Sequence, residues 1–161
     1  MRPAAPSAAR RPRVVELTTD GVPLPRGSAR LTRFCAKALA AAGHSAWQVS
    51  LLLCGDERMK GLNRRYRGRN AATDVLSFPM EEERNEGPVR GDIAVSLPAL
   101  GRNAAAYDVS ENEEMKRLLV HGLLHLAGMD HGRGKSGKML AFQEALLEKL
   151  RSEKIFGETR K

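Results

Sequence analysis

The stretch SENEEMKRLLVHGLLHLAGMDH, residues 110–131, has clearly marked helix boundaries and is the natural starting point for predicting the fold. Its first four residues, from Ser110 to Glu113, match the capping box, in which a serine and a glutamate satisfy free amide donors reciprocally. Apolar residues then recur at helical spacing, so we predict a helix that runs through Ala127. Gly128 is its expected C-terminal stop.

The segments around this helix predict a mixture of strands and helices. The predicted strands are 13–18, 47–54, 74–78 and 91–96. Four further helices are predicted. They are 28–42, a helix that Asp56 caps and Gly68 ends, 97–107 with Ser96 as its cap, and 136 to about 155. The last helix has a predicted apolar stripe formed by Met139, Phe142, Ala145, Leu146 and Leu150. Strict βαβ alternation is lacking. We therefore predict a single α+β domain, with a small mixed sheet of about four strands packed by about five helices.

The charge of the chain is unevenly distributed. The 161 residues include 27 Lys and Arg and 19 Asp and Glu, so 27 − 19 gives a net charge of +8. Residues 1–13 contribute +4 and are rich in Ala and Pro, which predicts a disordered basic tail ahead of a domain at 14–156. A second basic cluster lies at 56–69 and fits either a solvated helix face or a phosphate-facing surface.

Composition excludes several protein classes. Apolar runs stay far below the ~18 residues of a membrane span, so we expect no membrane partner. Two cysteines, Cys35 and Cys54, are too few for a disulfide framework, and they favour a reducing compartment. With 4% aromatic residues, little material is available for a base-stacking platform.

Three of the four histidines fall within the opening stretch. His121 and His125 are four residues apart on a helix, so both imidazoles project from one face. After Gly128 the chain can turn back, and His131 can approach the same point from outside the helix. Three neutral ligands leave one tetrahedral position open, the pattern of a catalytic zinc ion. Asp130 is a candidate to orient one of the ligands.

This spacing matches the long zincin signature H-E-x-x-H-x-x-G-x-x-H with one departure, because Gly122 replaces the glutamate that acts as general base in metalloproteases. The sequence therefore predicts a zincin-like metal site without the protease machinery. Three neutral ligands leave the positive charge of the metal uncancelled, which favours an anionic substrate such as a phosphodiester. An arginine near the metal would hold the phosphate.

Taken together, these residues resemble the bacterial YbeY family of endoribonucleases and rRNA maturation factors. The histidine stretch 121–131 carries the first match. Two further segments agree in order and separation: Leu62-Asn63-Arg64-Arg65-Tyr66-Arg67 followed by Thr73-Asp74-Val75-Leu76-Ser77-Phe78-Pro79, and Gly91-Asp92-Ile93. The resemblance covers roughly residues 14–155.

The resemblance implies a single-strand-specific, metal-dependent endoribonuclease in the cytoplasm. Its implied partners are single-stranded RNA, the 16S rRNA precursor and the small ribosomal subunit, and its implied roles are 16S rRNA 3′-end maturation and ribosome quality control. It implies one zinc ion per chain on His121, His125 and His131, with Arg67 as the catalytic cation of a basic cleft. Thr73, Ser77 and Asp92 are further candidates to line that cleft.

Two other function classes remain open from the sequence. One is a ribosome-assembly or RNA-binding factor in which zinc is structural. The other is a metal-dependent hydrolase of a small phosphorylated or amide substrate. Within the endoribonuclease hypothesis, either water or the RNA 2′-OH can be the attacking group.

Overall fold

A computed structural model of the chain describes residues 14–79, 89–129 and 136–156. The predicted basic tail at 1–13 lies outside these ranges, as do Asp130 and His131. Within them the strands are β1 (Val15–Asp20), β2 (Gln48–Cys54), β3 (Val75–Pro79) and β4 (Val89–Ser96), and the helices are α1 (Ser28–Ala41), α2 (Asp56–Arg67), α3 (Leu97–Tyr107), α4 (Glu111–Leu126) and α5 (Ser136–Lys149).

The four strands form one mixed sheet in the order β1-β2-β4-β3. Strand β2 pairs in parallel with both β1 and β4, and β3 pairs antiparallel with β4. The predicted α+β architecture, with a four-stranded mixed sheet and five helices, is thus confirmed for the described residues. Strand β3 lies at one edge of the sheet, where Pro79 is tolerated because its missing N–H faces away from the ladder.

Side chains alternate between the two faces of the sheet, and the faces are packed differently. On the first face, Leu51, Leu53, Ile93 and Val95 are buried in one cluster with residues of α1, α4 and α5. On the second face, a smaller cluster contains four buried residues, which are Cys54, Met59, Leu76 and Ala94. Helix α2 supplies Met59 and is the helix that packs there.

The predicted helix boundaries of the opening stretch are confirmed. The Ser110 hydroxyl accepts a hydrogen bond from the Glu113 amide at 3.1 Å, and the Glu113 carboxylate accepts one from the Ser110 amide at 3.1 Å. Helix α4 ends at Leu126, and Gly128 follows with a φ of +82° in the left-handed region that favours glycine. The predicted cap at Ser96 is also present, with its hydroxyl accepting from the Ala99 amide at 3.3 Å.

Two predictions about helices are wrong. Asp56 is not the cap of α2, because Gly55 occupies that position and the Asp56 carboxylate instead accepts hydrogen bonds from Arg102 and Ser96. Helix α5 ends at Lys149 rather than near Ile155. The following residues are tied to α4 instead, since the Lys116 ammonium donates to the carbonyls of residues 150 and 151, and the Asn112 amide oxygen accepts from the backbone of residues 155 and 156.

The apolar stripe of α5 is also shifted from the prediction. Met139, Leu146 and Leu150 are buried as expected, but Ala145 is exposed, Phe142 is 38% exposed and Gln143 is 4% exposed. Gln143 follows Met139 by four residues and precedes Leu146 by three, so a polar residue occupies the central position of the buried stripe. No helix in the described parts of the chain is long and apolar enough to cross a membrane.

Candidate metal site and basic cleft

His121 and His125 converge at the mouth of a cleft of about 690 Å³. Their Nε2 atoms are 3.0 Å apart, and the two half-buried rings meet edge to face with centroids 4.5 Å apart. Two nitrogens that bind one zinc ion at ~2.0–2.1 Å lie within about 3.4 Å of each other, so this pair fits joint ligation of a metal ion. Within the described ranges no third histidine, cysteine or carboxylate joins the pair, and the predicted third ligand, His131, lies outside them.

Gln143 on α5 holds the His121 ring in place. The Gln143 side-chain oxygen lies 3.0 Å from Nδ1 of His121, and the glutamine is almost fully buried. Because an amide oxygen only accepts, Nδ1 donates, and the lone pair of His121 is then on Nε2, the atom that faces His125. Sequence reasoning missed this residue, although a polar residue at the centre of the stripe formed by Met139, Leu146 and Leu150 was a readable signal.

Gly122 stands where metalloproteases have their catalytic glutamate, and it packs closely against the sheet. A Cβ atom at this position would lie 3.1 Å from Oγ of Ser77 and 3.2 Å from two carbon atoms of Ile93. Both neighbours are buried on the sheet, at 7% and 1% exposure, so they have little room to move. A glycine therefore lets α4 approach β3 and β4 closely, and this contact sets the height of the histidine pair above the sheet.

Arg67 reaches the same cleft from the end of α2. Gly68, with a φ of +67°, ends this helix, and its amide donates to the Arg64 carbonyl. The Arg67 guanidinium lines the cleft and donates through Nη2 to the Ser77 carbonyl at 3.2 Å. The structure thus places Arg67 in the same cleft as His121 and His125.

Ser77 connects the arginine side of the cleft to the histidine side. Its carbonyl accepts from Arg67, and its hydroxyl donates to the Gly122 carbonyl at 3.1 Å. Gly122 directly follows His121, so one residue of the edge strand β3 fixes the cation relative to the helix that carries both imidazoles. Ser77 is 7% exposed, which makes both hydrogen bonds costly to leave unmade.

The remaining candidates divide between the cleft and the other face of the sheet. Thr73 lines the cleft, whereas Asp92 lies on β4 and lines a separate groove on the second face. Arg69, from the basic cluster at 56–69, adds a second cation to the lining. Asn63 also lines the cleft, and its side-chain amide donates to the Ala71 carbonyl at 2.8 Å and holds the connecting loop. The described lining residues include no carboxylate, so the cleft suits an anion.

Comparisons with known proteins identify the family of this chain. The family model described as endoribonuclease YbeY matches residues 24–151. A curated endoribonuclease YbeY of Anaeromyxobacter sp. (strain Fw109-5) is 44% identical over 136 residues, covering 84% of this chain and 70% of that protein. The endoribonuclease YbeY of Treponema denticola is 41% identical over 133 residues, covering 79% of this chain and 86% of that protein.

A solved structure has the same overall fold. The solution structure of TM1509 from Thermotoga maritima superposes with a TM-score of 0.55 at 26% identity, covering 86% of this chain and 92% of the other. The matched family region contains α2, β3 and α4, the elements that carry Arg67, Ser77 and the histidine pair. With relatives above 40% identity over most of its length, the chain belongs to the endoribonuclease YbeY family.

Proposed function

We propose that this chain is a zinc-dependent, single-strand-specific endoribonuclease that acts in 16S rRNA 3′-end maturation and ribosome quality control in the cytoplasm. Membership of the family makes it an endoribonuclease. The convergence of His121, His125 and Arg67 in one cleft supports the finer assignment. The proposed partners are single-stranded RNA, the 16S rRNA precursor and the small ribosomal subunit.

In this proposal His121 and His125 hold one zinc ion together with His131. A zinc ion held there would polarise a phosphoryl oxygen of the RNA and lower the pKa of water, which is the chemistry that phosphodiester cleavage needs. Gln143 keeps the His121 ring oriented, and the contact between Gly122 and the sheet keeps the helix at a fixed height. The site is an open cleft rather than a closed core, which favours a catalytic ion over a structural one.

Arg67 is the proposed catalytic cation. Its guanidinium is anchored by one nitrogen on the Ser77 carbonyl, which leaves further N–H groups of the same fork directed at a phosphate in the cleft. Fixed donors of this kind stabilise the negative charge that develops on phosphoryl oxygens in the transition state. Arg69 adds positive charge along the same wall and helps to attract the strand.

Metal analysis combined with RNA cleavage tests this function. We expect His125→Ala to lose both zinc and cleavage, and Arg67→Ala to keep zinc and lose cleavage by on the order of a hundredfold or more. Arg151→Ala, which removes an arginine that is 81% exposed and lines neither groove, is the matched control and should cleave normally. Undiminished cleavage by folded His125→Ala protein contradicts the metal-enzyme assignment, and full activity of Arg67→Ala removes this residue from the mechanism.

The products of the same reactions separate the two attacking groups. A 3′-OH end indicates attack by water, whereas a cyclic phosphate or a 2′- or 3′-phosphate end indicates attack by the RNA 2′-OH. Efficient turnover of a small phosphodiester with no RNA cleavage would instead support the small-substrate hydrolase.

A further inference from the structure

A second groove, on the second face of the sheet, adjoins the cleft across the edge strand β3. It has a volume of about 900 Å³, and Arg67, Ser77 and Pro79 line both it and the cleft. The two grooves therefore share a rim rather than lying on separate parts of the surface. A polymer whose phosphate is held by Arg67 can reach the second groove with its neighbouring unit.

An aromatic pair, formed by an exposed tyrosine and a half-buried phenylalanine, stands in this groove next to the shared rim. Tyr66 and Phe78 pack with ring centroids 5.0 Å apart at 58°. Tyr66 directly precedes Arg67 and is 56% exposed, even though Phe78 lies beside its ring and the Arg65 guanidinium lies 5.4 Å from its centroid. A large aromatic ring that stays this exposed next to a phosphate-binding arginine is chemically suited to a nucleobase, because every base presents a π-face.

The charges of the groove determine which end can hold an RNA strand. Arg58 and Arg67 line it together with Glu16 and Asp92. Glu16 belongs to β1 at the far edge of the sheet, whereas Asp92 lies on β4, directly beside the edge strand, as the register partner of Phe78. Phosphates are repelled from the part of the sheet surface that carries these carboxylates. Tyr66 stands on α2 next to Arg67, so a strand can keep its phosphate on that cation while a base, which carries no charge, turns toward the Tyr66 ring.

We infer that the Tyr66 ring, supported by Phe78, is a stacking subsite for one unpaired base of the RNA whose adjacent phosphate is held by Arg67. This inference rests on the proposed function and adds a physical source for single-strand specificity. A base inside an A-form duplex is already stacked and paired, and it cannot turn out onto a protein ring. The chain has little aromatic material for a stacking platform, but this subsite needs only two rings.

A double-mutant cycle between Tyr66 and the bases of the RNA tests the subsite. The zinc-loaded full chain is mixed with fluorescently labelled single-stranded oligoribonucleotides that carry one abasic position, scanned along the strand. Affinity is read by stopped-flow anisotropy before cleavage proceeds. We expect one abasic position to weaken binding to the wild type about tenfold, within the range of a stacked base, and to have little effect on Tyr66→Ala.

Other variants control for folding and for general effects of losing a ring. Tyr66→Phe should bind within about twofold of the wild type, and Tyr66→Leu keeps an apolar contact with Phe78 and serves as the test if Tyr66→Ala does not fold. Tyr107→Ala is the matched control, because Tyr107 is 63% exposed, has the Arg117 guanidinium 5.9 Å from its centroid and lines neither groove. It should leave the affinity for RNA unchanged.

The outcomes separate this inference from the proposed function. Abasic penalties that are the same in wild type and in the folded Tyr66 variants overturn the stacking subsite, whether or not the RNA is cut. Wild-type protein that shows the Tyr66-dependent penalty but never cleaves RNA supports the subsite and contradicts the proposed function. Cleavage by the wild type together with unchanged RNA affinity in Tyr66→Leu overturns the subsite alone.

Discussion

The two faces of the sheet differ in how deeply they are packed, and the difference matches the tasks that we assign to them. The first face is covered by α1 and α4, and its cluster of buried residues extends from Val15 on β1 to Ile155 after α5. The second face has four buried residues in its cluster, around Met59 of α2, and beyond them an open groove of about 900 Å³. A deep core holds side chains in fixed positions, and a shallow one leaves surface for a ligand.

The proposed metal ligands belong to the deeply packed side. His121 and His125 stand on a helix whose Gly122 touches the sheet and whose first imidazole is held by a buried glutamine. The proposed RNA subsite belongs to the shallow side, where Tyr66 remains largely exposed. Strand β3 separates the two sides. Its residue Ser77 accepts a hydrogen bond from Arg67 and donates one to the Gly122 carbonyl of α4. If this comparison holds, side chains are held in fixed positions on the first face and have more freedom on the second.

The largest effect is expected at Gln143, through the metal. Replacing it with leucine removes the acceptor at 3.0 Å from Nδ1 of His121, and such outer partners of ligating histidines typically contribute 10- to 100-fold to metal affinity. We expect Gln143→Leu to bind zinc at least about tenfold more weakly in a competition titration with a chelator, while circular dichroism shows a folded protein.

Gln143→Glu is the matched variant, because a carboxylate oxygen also accepts from Nδ1 and should preserve the zinc affinity. Gln143 acts here as a positioning residue and not as a ligand. Wild-type zinc affinity in the folded leucine variant would show that packing alone orients His121.

A pair of glycines compares the two faces directly. In α4, a Cβ at Gly122 meets Ser77 and Ile93 at 3.1–3.2 Å, whereas in α2 a Cβ at Gly61 meets nothing within 4 Å. Alanine is favoured over glycine by about 1 kcal/mol in a helix, but overpacking a core costs about 1–3 kcal/mol. We expect Gly122→Ala to lower the free energy of unfolding by about 1–2 kcal/mol and Gly61→Ala to raise it by about 0.5–1 kcal/mol.

Urea denaturation of both variants measures these changes. Opposite signs are the expected result, since the same substitution meets a tight contact on one face and open space on the other. If Gly122→Ala is as stable as the wild type, the contact between α4 and the sheet is softer than its distances indicate.

The sequence predicted the fold and the family better than it predicted how the candidate site is held. Local signals were sufficient for the capping box at Ser110, the stop at Gly128 and the helical spacing of His121 and His125. The contribution of Gln143 was missed because the choice between Phe142 and Gln143 as the buried residue depends on how α5 is rotated against α4. The carboxylate of Asp56 was assigned to a helix cap because its actual partner, Arg102, is 46 residues away in the chain.

The two cysteines report on the packing of each face. Cys35 is buried against the first-face core, and burial raises the pKa of its thiol to about 12. Cys54 lies in the second-face cluster, and mainly burial raises the pKa of its thiol to about 11. Thiols react as thiolates, so both should be nearly inert near neutral pH unless the structure opens locally.

We expect Cys54 to be alkylated a few-fold faster than Cys35 under native conditions, because the layer over it is thinner. Mass spectrometry of peptides from iodoacetamide-treated protein measures the two rates, and Cys35→Ala and Cys54→Ala verify the assignment. Equal rates would mean that both thiols become accessible only by global unfolding, and the two faces would then open together.

The smallest effect is expected at the hydrogen bonds of Asp56 with Arg102 and Ser96, a polar clamp that holds α2 over the second face. Hydrogen bonds from Arg102, with a further one from Ser96, hold the pKa of Asp56 below its usual value of 3.8. Because the pKa is lower in the folded state than its unfolded value of about 3.9, the ionised carboxylate stabilises the folded protein at pH values above about 3.9. This contribution is lost as the pH falls through the folded pKa. Since both side chains are partly exposed, Asp56→Asn should lower the melting temperature at pH 7 by only about 1–2 °C.

The pH dependence of this difference identifies the clamp as its source. The gap in melting temperature between wild type and Asp56→Asn should stay constant from pH 7 to about pH 4 and shrink below it, as the wild-type carboxylate becomes protonated. Arg102→Gln removes the two hydrogen bonds from Arg102 and leaves the one from Ser96, so combining it with Asp56→Asn should add little to the effect of Asp56→Asn alone. A gap that already closes between pH 6 and pH 5 would assign the effect to a different titrating group.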